Sequence, residues 1–246
     1  MEKLFNIVKA EFLKSKRTMG SRLVFAFPVI ALIMAFLLTA GLINAFSESA
    51  WNWWYTLLLP GMLAIVSYLT VIREKKTGYY NLMTLSKDKR ILMLGKIAYL
   101  VCLIFISNII LFAGALVGGK LLTTSVPALG AAVTVIVLTI VELWQIPLFL
   151  FLSEKFGMVA ELVICLGITV FGVVAAPSGK WFLFVSAIPM RIAIPLLHVL
   201  PNGLRAEAGN PLLNAGVILP GIMISLLWFV VGSYLYLNWF EKREVK

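Results

Sequence analysis

The chain has 246 residues, 61% of them hydrophobic and 13% charged, with a mean hydropathy of +1.00. A water-soluble domain is about 45–50% apolar and about 25% charged, so this composition excludes an ordinary soluble globule and fits a surface that faces lipid. The net charge of +10 does not indicate nucleic-acid binding, because the basic residues sit in short segments between apolar runs.

The segment from Lys3 to Arg22 is basic and amphipathic. At 100° per residue, Leu4, Phe5, Ile7, Val8 and Phe12 share an arc of about 160°, and most of the lysines point elsewhere. This pattern predicts a helix along the inner membrane face with its apolar side in the headgroups. Glu11 interrupts the apolar side. It either pairs with Lys14 one turn on or meets a neighbouring cytoplasmic element. The segment is too long for the n-region of a signal peptide, so the apolar run after it reads as a retained anchor.

About 20 apolar residues in a helix cross a hydrocarbon core about 30 Å thick. Six runs have that length, at about 23–43, 52–72, 97–117, 129–152, 158–176 and 216–238. None shows the alternation of a strand, and helices satisfy their own backbone groups, as lipid requires. Seventeen of the 21 Lys and Arg residues fall in the N-terminal segment, the loop 73–96, Lys155 and the tail; the other side holds Lys120, Lys180, Arg191 and Arg205. Such asymmetry places the basic side, with both termini, in the cytoplasm.

The loop Arg73 to Lys96, REKKTGYYNLMTLSKDKRILMLGK, follows the second run. Mixed charges including Glu74 lead to a turn at Gly78, and then come Tyr79, Tyr80, Leu82, Met83 and Leu85. A short helix carrying these residues reads either as a docking knob for a soluble partner or as a helix folded onto the membrane surface. In the fourth run, Glu142, Gln145 and Pro147 lie within two turns. A carboxylate there seldom faces lipid; it serves a pathway or a subunit contact. Glu161 lies nearer the cytoplasmic end, where it is expected to snorkel. Gly114 and Gly118 permit close helix approach. Residues 177–215 hold two apolar stretches, Trp181 to Ile188 and Ile192 to Leu200, each too short to span and bounded by proline. They read as re-entrant or interfacial helices, or as a collapsed surface cap.

Several chemistries find no support. Cys102 and Cys165 lie inside apolar runs with no CxxC pair, and His198 is the single histidine, so neither a disulfide framework nor a metal site is expected. The stretch Gly114 to Lys120 has phosphate-loop spacing, but Leu121 stands where Ser or Thr is needed. There is no HExxH, GxSxG or paired-glutamate protease motif, so the chain is not expected to be an enzyme.

Taken together, the elements resemble the permease subunits of type-2 ABC transporters. The most specific stretch is Glu74-Lys75-Lys76-Thr77-Gly78, followed by Leu82, Leu85, Arg90 and Gly95-Lys96, which is similar to the family's coupling-helix loop. Glu11 to Thr18, with Lys14 and Arg17, looks like its interfacial connecting helix. Asn52-Trp53-Trp54-Tyr55, Leu59-Pro60-Gly61 and Leu200-Pro201-Asn202-Gly203 resemble the lantibiotic-immunity branch. The resemblance implies an all-α integral membrane protein in one domain, residues 1–246. It has six transmembrane helices, cytoplasmic termini, an amphipathic interfacial helix and re-entrant outer helices before the last span. It also implies a Gram-positive bacterial cytoplasmic membrane and a cytosolic ATPase subunit that binds ATP and magnesium, so this chain itself holds no cofactor. A second permease chain, a peptide substrate and membrane lipid complete the expected partners. The peptide would enter from the outer leaflet near Trp51, Trp53, Trp54, Tyr55 and the outer cap, although these aromatics also suit an interfacial aromatic belt. A non-transporting sensor or scaffold of antibiotic response is the alternative.

Overall fold

A computed structural model describes residues 2–39, 45–79, 89–122 and 126–242. Among these residues the chain is built from helices, with a single isolated bridge between Val199 and Arg205. In order they are α1 (Glu2–Ser15), α2 (Met19–Thr39), α3 (Phe46–Trp53), α4 (Leu59–Lys76), α5 (Lys89–Leu121), α6 (Ala128–Val141), α7 (Gln145–Lys155), α8 (Met158–Ala175), α9 (Ile188–Leu197) and α10 (Ile218–Glu241).

Five helical stretches are long and apolar enough to cross a membrane, and α6 with α7 makes a sixth if the bent pair counts as one span. Their outward surfaces carry Phe25, Ile33 and Leu37 on α2, Val159 and Val174 on α8, and Leu219, Leu227 and Val230 on α10, all exposed. Apolar exposure on this scale, on helices long enough to span, marks a surface suited to lipid or to a partner chain.

The second expected span is not a uniform α-helix. α3 passes through one π-helical stretch, Trp54–Leu58, before α4 begins with Pro60 in its first turn. Proline is accepted there because its missing N–H would have no intrahelical partner. Gly114 and Gly118 of α5 do allow close approach. A Cβ on Gly114 would lie 2.2 Å from Leu32 Cδ1 of α2, and one on Gly118 would lie 2.3 Å from Phe46 Cε1 of α3. The phosphate-loop-like stretch is part of continuous α5 helix.

The fourth expected span is broken. α6 and α7 meet at 46°, and Pro147 explains the break. It has no N–H to give the Leu143 carbonyl, which accepts from Ile146 N instead at 3.1 Å.

The segment before the last span also differs from its expectation. Of the first stretch, Trp181–Leu183 and Val185–Ala187 form short 3₁₀ turns, and Ile188 begins α9. The second stretch lies largely in α9, whose Ile188, Met190, Ile192, Ile194 and Leu197 are all buried. α9 packs against α6, and its helix ends where His198 takes a left-handed φ of 58°. A loop closed by the Val199–Arg205 bridge follows.

Candidate functional site

Five helix ends converge at one end of the bundle. Glu11 and Lys14 come from α1, Arg73, Glu74 and Lys75 from α4, Lys96 from α5, Glu154 from α7 and Phe240 from α10. This is the basic end.

Glu11 does both things left open by the sequence. Lys14 Nζ donates to its Oε1 at 3.0 Å, and Arg73 Nη2 donates to its Oε2 at 2.7 Å. Glu74 Oε1 accepts from Lys14 Nζ at 3.0 Å and from Lys96 Nζ at 3.1 Å. Lys96 Nζ also stands 3.5 Å from Glu11 Oε1. Two carboxylates thus hold three cations drawn from α1, α4 and α5. Glu11, Glu74 and Lys96 are each 3% exposed. Removing one partner from such a buried cluster leaves an uncompensated charge, which costs about 3–5 kcal/mol. Burial alone would lower the Lys14 pKa, but the Glu11 and Glu74 carboxylates outweigh it and hold the ammonium above its ordinary value.

α1 therefore does not present its whole apolar side to headgroups. Ile7 packs where Gly95 of α5 leaves room, since a Cβ there would stand 2.3 Å from Ile7 Cγ2. Phe12 meets the Tyr99 ring edge-on at 4.9 Å. Leu4, Phe5 and Leu13 remain exposed, so the outward face of the helix still carries apolar residues. Arg17 lies beyond the helix, exposed, with a left-handed φ of 68°.

The loop begins from a fixed point. α4 ends at Lys76, and Gly78 and Tyr79 take positive φ values of 57° and 56°. Gly78 adopts this conformation without a Cβ penalty. The turn sends Tyr79 inward. Its hydroxyl donates to Glu154 Oε2 at 2.5 Å, and its ring lies 6.1 Å from that of Phe240. Lys75 Nζ donates to the Glu154 carbonyl at 2.6 Å. Tyr79 is 6% exposed, which corrects its expected place on an exposed docking face: it anchors the root of the loop. Tyr80, Leu82, Met83 and Leu85 lie outside the described residues.

At the opposite end, the aromatic cluster is largely interior. Trp51, Trp54 and Tyr55 are buried, and Trp53 is half-buried. Trp54 Nε1 donates to Asn108 Oδ1 at 2.7 Å, and Asn108 Nδ2 donates to Thr139 Oγ1 at 3.0 Å. A lipid-facing belt is excluded for Trp51, Trp54 and Tyr55 by this burial. Asn52 Nδ2 donates to the carbonyls of Leu200 and Pro201, each at 3.2 Å, so two of the stretches singled out by resemblance touch one another. Glu142 and Gln145 sit together at the α6–α7 break, bonded side chain to side chain. Glu161 does not snorkel; it is fully buried and accepts from Ser153 Oγ at 2.6 Å.

Glu154 and Asn108 were not among the expected site residues. A lone asparagine inside an apolar run is a legible signal of a buried hydrogen bond. Glu154 offers none, because its partner Tyr79 is 75 positions away. Among the described residues, no group of His, Cys, Asp and Glu has the arrangement of a metal site. No family model and no curated protein matches the chain.

Proposed function

We propose that the chain is the membrane-spanning permease subunit of an ATP-driven transporter of the type-2 ABC class, with hydrolysis supplied by a separate cytosolic ATPase. The observation that carries this reading is the buried ion cluster of Glu11, Lys14, Arg73, Glu74 and Lys96, joined by Tyr79 and Glu154 at the root of the loop. The loop between α4 and α5 leaves through one arm of the network and returns through Lys96. A load applied to residues 80–88 therefore reaches α1, α4, α5, α7 and α10 together, as a coupling element requires. Glu11, Lys14, Glu74 and Lys96 are also residues on which the family resemblance rests, and here they form one cluster.

In this reading the basic end with both termini faces the cytoplasm of a Gram-positive bacterium, α1 lies at the inner interface, and the 177–215 segment caps the outer side. A second permease chain completes the pathway, and the cargo is a lantibiotic-type peptide whose removal confers self-immunity. ATP and magnesium belong to the partner.

The test is affinity purification of the tagged chain from its own host in mild detergent, with co-purifying proteins identified by mass spectrometry. Recovery of a cytosolic ABC ATPase, abolished by Leu82→Asp with Leu85→Asp while the chain still inserts, is the expected result. A chain that purifies without an ATPase under several mild conditions overturns the permease reading and favours a sensor or scaffold.

A further inference from the structure

The break between α6 and α7 holds a buried acid–amide pair. Glu142 is 1% exposed and Gln145 is 4% exposed. The amide Nε2 of Gln145 donates to Glu142 Oε2. The remaining oxygens, Glu142 Oε1 and Gln145 Oε1, are both buried and have no hydrogen-bond partner.

Charge does not explain the pair. Among the described residues, no ion pair involves Glu142. Among the described residues, the titratable group that interacts electrostatically with it is the Cys165 thiol of α8. An unpaired carboxylate in the interior of a membrane-embedded bundle is strongly disfavoured.

Hydrogen-bond inventory points to what is missing. A carboxylate oxygen and an amide oxygen are both acceptors, so an ionised Glu142 leaves two orphans in one pair. Each buried orphan forfeits the hydrogen bonds it would make in water. One proton on the carboxyl converts an acceptor into a donor, and acid and amide then match on both arms. The position is also one where a spanning pair is interrupted, an arrangement that membrane transporters use at sites for coupling ions.

We propose that Glu142 and Gln145 form a proton-binding site inside the membrane-spanning bundle. The proton resides on Glu142, and its O–H is directed at the Gln145 amide oxygen. The site is loaded at neutral pH. Losing the proton leaves an unpaired carboxylate at the bend, so release requires the α6–α7 junction to open towards water or a cation. The inference needs only that the bundle spans a membrane, and it stands apart from the identity of any ATPase partner.

Infrared spectroscopy of the full chain in lipid nanodiscs at pH 7 tests it. The expected spectrum contains a protonated-carboxyl C=O band that moves to lower frequency in D₂O, and Glu142→Gln abolishes that component. Gln145→Leu keeps the component but moves it to higher frequency, because the amide that bonded the acid is gone. A band unchanged by Glu142→Gln, or a wild-type spectrum with carboxylate bands alone, overturns the proposal. Should Glu142→Gln fail to fold, Glu48→Gln with Glu161→Gln removes the other buried acids that have no cation partner among the described residues. Persistence of the band in that variant supports the site, and its loss overturns it.

Discussion

Lys96 of α5 and Glu74 of α4 stand 3.1 Å apart, both buried, at the two roots of the same loop. A salt bridge between partners 22 positions apart in the chain closes the loop at its base. Replacing Lys96 by Met leaves Glu11 and Glu74 short of one cation in a buried setting. The expected loss is about 3–5 kcal/mol, measured by SDS-induced unfolding in mixed micelles. In a double-mutant cycle with Glu74→Gln, the pair should show coupling well above that of a surface ion pair.

Arg90 and Glu241 supply the contrast. They also bridge two helices, α5 and α10, at 2.6 Å, but each side chain is about half exposed. Water and salt screen such a pair, so Glu241→Gln should change stability by no more than about 1 kcal/mol in the same assay.

The attachment of α1 depends on the missing side chain at position 95. In Gly95→Val the new atoms occupy the space of Ile7, and overpacking of this kind costs about 1–3 kcal/mol. α1 should part from α5 while the spans stay assembled. Hydrogen exchange would then show faster labelling across residues 2–15, with the amides of α4 and α5 unchanged away from the contact.

The same attachment has an alkaline limit. Lys14 is held above its ordinary value of 10.5 by Glu11 and Glu74, so its contribution is fully present below that value. It is lost as pH rises through the raised folded-state value. A spin label on exposed position 13 should gain mobility in that range. Lys14→Gln should remove this component of the pH dependence, leaving whatever the rest of the cluster contributes.

Asn108 of α5 links the π-helical stretch Trp54–Leu58 to α6 through its two bonds. Asn108→Leu strands the Trp54 indole N–H in a buried site. The expected cost is roughly 1–2 kcal/mol, the range of polar contacts between membrane helices, read as a lower unfolding midpoint with altered Trp emission.

Much of the fold is legible in the sequence. Runs of about 20 apolar residues, the basic lead-in, the packing role of Gly114 and Gly118 and the oddity of residues 177–215 all follow from local composition and period. The Glu11 anomaly was legible too, as a charge on the wrong face. The burial of Tyr79 is not legible in the sequence, because its partners Glu154 and Phe240 lie on the distant helices α7 and α10. Glu161 was misjudged because distance from a helix end says how far a side chain reaches, not what surrounds it.

The sequence by itself determined the helices, their lengths and the lopsided distribution of charge, because hydropathy and helix geometry act over neighbouring residues. Tertiary structure alone decided which buried charges meet, that α1 clasps α5, that Pro147 bends a span beside Glu142, and that Asn52 holds the loop at Leu200. Those outcomes depend on pairings between residues far apart in the chain. An isolated stretch of sequence carries no record of its distant partner, and burial leaves each polar group stable only where that partner is found.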